Sequence, residues 1–195
     1  MIKTFLKITL ILLLFIFCSC SPNNESIVKN YIIDHNLHNV EKSLSYYSDD
    51  ITFELVGTWI KSGKKEIKSL EEWDSAVNSN LKLNLFKTSG DTLLYTVKEK
   101  NDWFSAIGIE QINYDSVLFI IENGKINKII AIPLPEINIK IGKAMNSIMN
   151  WAAQTKTSLT DLIPNGKFIY SKESAKKWLS LLKRWQGDKP LQSDK

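Results

Sequence analysis

The chain predicts an α+β fold in which helices come first and a mostly antiparallel sheet follows. Three observations carry this reading. Apolar residues recur at three- and four-residue spacing from Ile27 to Tyr47, they alternate in paired segments from Leu81 to Ile132, and Asn123-Gly124 separates the last two alternating runs. With 195 residues, 44% hydrophobic and 24% charged, the composition excludes disorder, collagen and a multi-domain machine.

Each element has its own signal. Asn23 and Asn24 can cap a helix whose Ile27, Val28, Tyr31, Ile32 and His35 share one face, and Val40, Leu44 and Tyr47 mark a second, short one. Ser48-Asp49-Asp50 reads as a turn, after which Ile51, Phe53 and Leu55 form one side of a half-buried strand. Gly57 to Ile60 begins a return, and Lys64 to Ser79 is helical, with Ile67, Leu70, Trp73 and Val77 as its apolar stripe. Leu81, Leu83 and Leu85 pair with Leu93, Tyr95 and Val97 across Ser89-Gly90-Asp91. A hairpin follows, residues 112–121 and 126–132 flanking Asn123-Gly124, whose backbones both tolerate positive φ.

Pro133 and Pro135 end the sheet. Ile137, Ile141, Met145, Ile148 and Ala152 then line one helix, and Trp178, Leu181, Leu182 and Trp185 line another from about Ser171 to Gln186. Pro164-Asn165-Gly166 separates the two. Trp178 and Trp185 beside Lys176, Lys177, Lys183 and Arg184 suit a membrane surface, but the favoured account packs the Trp/Leu stripe on the domain and leaves the cations in water.

The first residues read as an address. Met1 to Lys7 carries two lysines and Ile8 to Phe17 is apolar apart from Thr9, the pattern of a signal-peptide h-region. A membrane-spanning helix needs about 20 apolar residues, and polar Ser19, Ser21, Pro22 and Asn23 follow too soon. Phe17-Cys18-Ser19-Cys20 resembles a bacterial lipobox. The resemblance implies that residues 1–19 are removed as a lipoprotein signal peptide and that Cys20 becomes N-terminal with several acyl chains, palmitate among them. Such a protein is tethered to a membrane of the bacterial cell envelope, outside the cytoplasm.

Other function classes fall away. Lys and Arg number 25 against 21 Asp and Glu, and a net +4 without a basic run or an aromatic RNA motif argues against nucleic acid. Cys18 and Cys20 are the only cysteines, so the body of the protein has neither a disulfide framework nor a thiolate metal site. His35 and His38, with Asp34 nearby, lack a further convincing ligand, so no metal is expected. No Gly-rich phosphate loop or nucleophile elbow is present, and no cofactor is expected.

Helix, short helix, strand, helix and two hairpins is an order that resembles the nuclear transport factor 2-like superfamily. Ile27-Val28-Lys29-Asn30-Tyr31-Ile32 and the run from Val40 to Glu54 resemble the opening of SnoaL-like polyketide cyclases and ketosteroid isomerases, and Asn123-Gly124-Lys125-Ile126 resembles their last hairpin. Glu71-Glu72-Trp73-Asp74, Asn101-Asp102-Trp103, Ile107-Gly108-Ile109 and the run from Leu162 to Phe168 resemble an uncharacterised bacterial subgroup. The resemblance implies a curved sheet wrapped into a cone around an apolar pocket, a domain over residues 20–134, and a helical C-terminal extension, residues 135–195, packed on it. Relatives include isomerases, cyclases, dehydratases, epoxide hydrolases and plain binding modules, so fold alone does not decide function.

The resemblance aligns Tyr31 and Asp115 with the oxyanion-binding tyrosine and protonated acid of ketosteroid isomerases. Alternation agrees, placing Asp115 on one face with Val117, Phe119 and Ile121, where burial would raise its pKa. The isomerase base falls at Leu55, which carries no proton. His35, one helical turn from Tyr31, or Asp102 is the candidate to move a proton instead. The structural alternatives are a helix-end His35 bonded to backbone, a core Tyr31 and a buried Asp115 bonded to Tyr31 or backbone.

The expected ligand pocket comprises Tyr31, His35, Leu55, Trp59, Trp103, Asn113, Asp115 and Val117, with Trp73 assigned to the core by its helical spacing. No residue is fixed as catalytic. The leading expectation is a membrane-anchored protein that binds a small hydrophobic or aromatic molecule. One alternative is a lyase, isomerase or cyclase using Tyr31 and Asp115 as oxyanion donors. Another is a homodimer-forming or partner-binding module.

Overall fold

The structure, a computed structural model, describes residues 23–188. The signal segment 1–19 and Cys20 lie outside the described residues. The element order is α1 (Asn24–Asn36), α2 (Val40–Ser45), β1 (Tyr47–Leu55), β2 (Trp59–Ser62), α3 (Lys64–Ala76), β3 (Asn80–Ser89), β4 (Thr92–Lys100), α4 (Asp102–Ala106), β5 (Ile112–Glu122), β6 (Lys125–Pro133), α5 (Pro135–Gln154) and α6 (Lys172–Gly187). The strands form one six-stranded sheet in the order β2-β1-β6-β5-β4-β3. Every pair is antiparallel except β1 with β6.

The local signals explain most boundaries. The Asn23 side chain accepts a hydrogen bond from the Glu25 N–H at the start of α1, and Asn39 does the same for Lys42 in α2. Asn123 and Gly124 adopt φ of 50° and 72°, which the tight β5–β6 turn requires. Pro135 opens α5, where its missing N–H costs nothing. Ser171 and Ser174 form a reciprocal cap on α6.

Two expectations fail: Tyr47 opens β1 instead of lying on the second helix, and the turn expected after it is absent. Ser48-Asp49-Asp50 is strand rather than turn, because β1 starts at the buried Tyr47 and pairs with Ile126 before its register shifts ahead of Thr52. The Asn127 side-chain amide donates to Ser48 and Asp50 across the pair, so these polar residues sit on an irregular strand that side chains hold in place. Further register shifts lie between Leu85 and Lys87, Tyr95 and Val97, and Tyr114 and Ser116. Such irregularities bend and twist strands, and here they accompany the curvature of the cone.

Two large apolar bodies result, with a small third around Ile109, Ile112 and Ile137. The first joins α1 residues Ile27, Val28 and Tyr31 to the sheet residues Tyr95, Val117, Phe119 and Ile129. The second sits between α3, α4, α5 and α6 around Trp103, Trp178 and Leu182. Trp178 is fully buried, stacks on Phe168 at 5.2 Å and 11°, and meets Trp103 edge-on at 6.0 Å. Lys176, Lys177, Lys183 and Arg184 are exposed, so the Trp/Leu stripe of α6 is spent on the protein's own core. Among the described residues no helix is long and apolar enough to cross a membrane.

The second core depends on that one indole. Trp178→Ala is expected to lower stability by about 3–5 kcal/mol, the usual cost of deleting a buried Trp. Denaturant unfolding measures it, and a loss below ~1 kcal/mol would show that α6 adds little to the fold.

Candidate functional site

A cavity of about 140 Å³ opens between the sheet, α1 and α3. Its apolar walls are Phe53 and Leu55 from β1, Leu81 and Leu83 from β3, and Val117 and Phe119 from β5. Trp59, Trp73, Phe104 and Tyr170 add aromatic surface. Tyr170 comes from the segment ahead of α6, accepts a hydrogen bond from Trp59 Nε1 at 3.1 Å, and packs edge-on against Trp73.

The floor is polar. Helical spacing puts Tyr31 and His35 on one face of α1, and Glu71 and Asp74 on one face of α3. The Glu71 carboxylate is buried and receives the hydroxyls of Tyr31 at 3.1 Å and Tyr47 at 2.7 Å on Oε1, and His35 Nδ1 at 3.1 Å on Oε2. Burial opposes a charge on His35, but the attraction and hydrogen bond of Glu71 outweigh it and lift the imidazole from 6.5 to about 9. Burial likewise opposes ionisation of Glu71, and the His35 charge with the three hydrogen bonds holds that carboxyl below its ordinary value. His35 Nε2 is buried without a partner.

A second carboxylate lies on β4. Glu99 receives Ser79 Oγ at 3.1 Å, Asn101 Nδ2 at 2.7 Å and the Tyr114 hydroxyl at 2.8 Å. Asp74 differs from both acids. Its carboxyl lines the cavity and, among the described residues, makes no side-chain hydrogen bond. Burial pushes it well above the usual carboxylate range, His35 pulls it down, and Glu99 and Glu71 push it further up.

Of the residues expected in the pocket, Tyr31, His35, Leu55, Trp59 and Val117 line it together. Asp115 does not, because it is exposed. The alternation that assigned it to the apolar face is broken by the irregularity between Tyr114 and Ser116, which brings Tyr114 to the face shared with Val117. Asn113 receives Gln111 Nε2 at 2.9 Å and does not line the cavity. Trp103 is buried in the second core against Trp178 and Phe168. Asp102 is exposed in the first turn of α4 and receives Asn78 Nδ2 at 2.5 Å. Trp73 is both core and cavity wall. His35 is bonded through Nδ1 to a carboxylate rather than to backbone carbonyls.

Glu71, Asp74, Glu99, Tyr114 and Tyr170 are the functional candidates that pattern reading missed. Signals for three of them exist. Glu99 continues the alternation of Tyr95 and Val97, and Glu71 and Asp74 each follow an apolar stripe residue, Leu70 and Trp73. Among the described residues no three His, Cys, Asp or Glu side chains converge as metal ligands.

No family model and no curated protein matches the chain. Its fold is similar to that of an NTF2-like protein of unknown function from Cytophaga hutchinsonii, with a TM-score of 0.50 at 13% identity over 60% of this chain and 95% of that one. The epoxide hydrolase/cyclase-like enzyme SalBIII of salinomycin pyran-ring formation gives 0.51 at 14% identity over 58% and 92%. The Mycobacterium tuberculosis protein RV0760c gives 0.50 at 13% over 60% and 93%. The α+β cone with its curved sheet is thus the nuclear transport factor 2-like fold.

The His35–Glu71 pair makes stability depend on pH. A folded-state value of about 9 against 6.5 unfolded means that the His35 contribution is fully present below about pH 6.5 and lost as pH rises through about 9. The expected loss is on the order of 3 kcal/mol, at 1.36 kcal/mol per unit. Asp74, raised on folding, lowers stability from about pH 4 upward, so the comparison with His35→Gln isolates the imidazole. Denaturant unfolding at pH 6 and pH 10 should show a smaller drop in His35→Gln than in the unaltered chain, and equal drops would contradict the assignment.

Proposed function

We propose that the cone cavity binds a small, largely apolar molecule of about one ring, in a lipoprotein held at a bacterial envelope membrane through Cys20. The observation that carries the reading is the cavity itself. Its volume of about 140 Å³ is close to the ~150 Å³ apolar cavity that accepts benzene. Apolar and aromatic walls with a few convergent polar groups are the usual make-up of a small-molecule site. Asp74 is the acid left unspent on the lining, and it is what a ligand heteroatom would meet.

A second reading, a lyase, isomerase or cyclase, is favoured by the same unspent acid. A related fold carries an epoxide hydrolase/cyclase-like enzyme, so this architecture is compatible with chemistry. Tyr31 and Asp115 do not serve it as an oxyanion pair, since the Tyr31 hydroxyl donates to Glu71 and Asp115 faces solvent. On this reading Asp74 is the proton donor, a carboxyl kept neutral by burial.

Native mass spectrometry of the full chain, released from detergent micelles, tests occupancy beside a cavity-filling Leu55→Trp variant of matched melting temperature. A bound small mass present in the first and lost from the second is expected. No bound mass in either would move the weight to a dimerisation or partner-binding module. The anchor rests on the h-region and on Cys20. Cys20→Ser is expected to abolish incorporation of labelled palmitate, and a variant that still carried lipid would refute the assignment.

A further inference from the structure

We propose that the occupant of this cavity is cationic, a small amine of about one ring, and that Asp74 holds its ammonium group within the aromatic wall of Trp59, Trp73 and Tyr170. The proposal rests on reading the cavity as a small-molecule site, and it names the chemistry of the ligand.

Charge balance carries the argument. Two carboxyl groups line the cavity, from Asp74 and Glu99, a third, Glu71, lies behind Tyr31 and His35, and the imidazole of His35 is the base among them. That imidazole is already matched, 3.1 Å from Glu71. Glu99 has no cation at hydrogen-bond distance and is held by three neutral donors, Ser79, Asn101 and Tyr114. Asp74 has neither cation nor donor, although its carboxyl faces the cavity. Around it stand Tyr31 and His35 from α1, Glu71 from its own helix, Glu99 from β4, Tyr114 from β5 and Tyr170 from the segment before α6. Asp74 is therefore the acid of the lining with neither counterion nor donor, and burial, with Glu99 and Glu71 nearby, pushes its carboxyl well above the usual carboxylate range.

An ammonium group supplies what is missing. It donates charge-assisted hydrogen bonds to Asp74, which then ionises and gives one proton to solvent. An anionic occupant would meet two acids instead, Asp74 and Glu99. The walls agree, since aromatic faces attract cations. Two of these rings already do so: the Lys61 ammonium lies 5.6 Å from the Trp59 centroid and 5.1 Å from that of Tyr170.

Benzylamine, charged at pH 7, and benzyl alcohol, its neutral counterpart, separate the possibilities. Calorimetry on the full chain in lipid nanodiscs, with empty nanodiscs subtracted, is run in buffers of different ionisation enthalpy. Benzylamine is expected to bind roughly ten- to hundredfold more tightly than benzyl alcohol, as a charge-assisted bond in a dry site warrants. Close to one proton should be released per benzylamine bound to the unaltered chain. Asp74→Asn should abolish both the preference and the release while still binding benzyl alcohol, which also reports that the variant is folded. Equal binding of the two ligands, or a preference that survives Asp74→Asn, overturns the proposal and leaves the small-molecule reading standing. Binding of neither overturns both.

Discussion

A single buried carboxylate organises the interior. Glu71 on α3 is reached by Tyr31 and His35 from α1 and by Tyr47 from β1, so three separate elements are tied to one pair of oxygen atoms. Removing such a charge from water costs several kcal/mol unless it is paired and hydrogen-bonded, and here both conditions are met. The consequence is geometric as much as energetic. Any displacement of α1 relative to α3 leaves the charge short of donors, so the helices that bound the cavity are held in register with the sheet.

The same interaction decides which groups are available for work. Tyr31 lines the cavity but spends its hydroxyl on Glu71, and Glu99 is occupied in the same way by Ser79, Asn101 and Tyr114. Two satisfied carboxylates flank one that is not, and that contrast, rather than acidity alone, singles out Asp74. Its neighbours raise the cost of ionising it because they are themselves charged and fixed. Stability and reactivity are thus divided among chemically similar side chains by the supply of donors around each one.

Much of the fold was legible in the sequence because its signals are local. The cap at Asn23, the Asn123-Gly124 turn and the proline that opens α5 each act within a few residues. His35 and Val117 followed from period, Tyr31 and Leu55 from the family resemblance, and Trp59 from its aromatic character, and all five line the cavity. Asp115 did not, since period-two reasoning holds only along an unbroken ladder, and one irregularity between Tyr114 and Ser116 exchanges the faces. The acidic floor was hidden for another reason. Glu71 and Glu99 look like solvated acids until donors from distant segments are placed around them, and partners 20 to 40 positions away leave no local trace.

The C-terminal helices bear on the site through one residue. Tyr170 sits just ahead of the Ser171 cap, so the start of α6 fixes where its ring lies. Trp178, about two helical turns past that cap, stacks on Phe168, and Phe168 in turn packs on Trp73 and Tyr170. A continuous aromatic chain therefore runs from the second core to the cavity wall, where Trp59 donates to the Tyr170 hydroxyl. Edge-on and stacked rings resist displacement because each loses specific contacts when its neighbour moves. The helical segment is accordingly part of the pocket, and the position of its wall is set by packing that lies outside the cone.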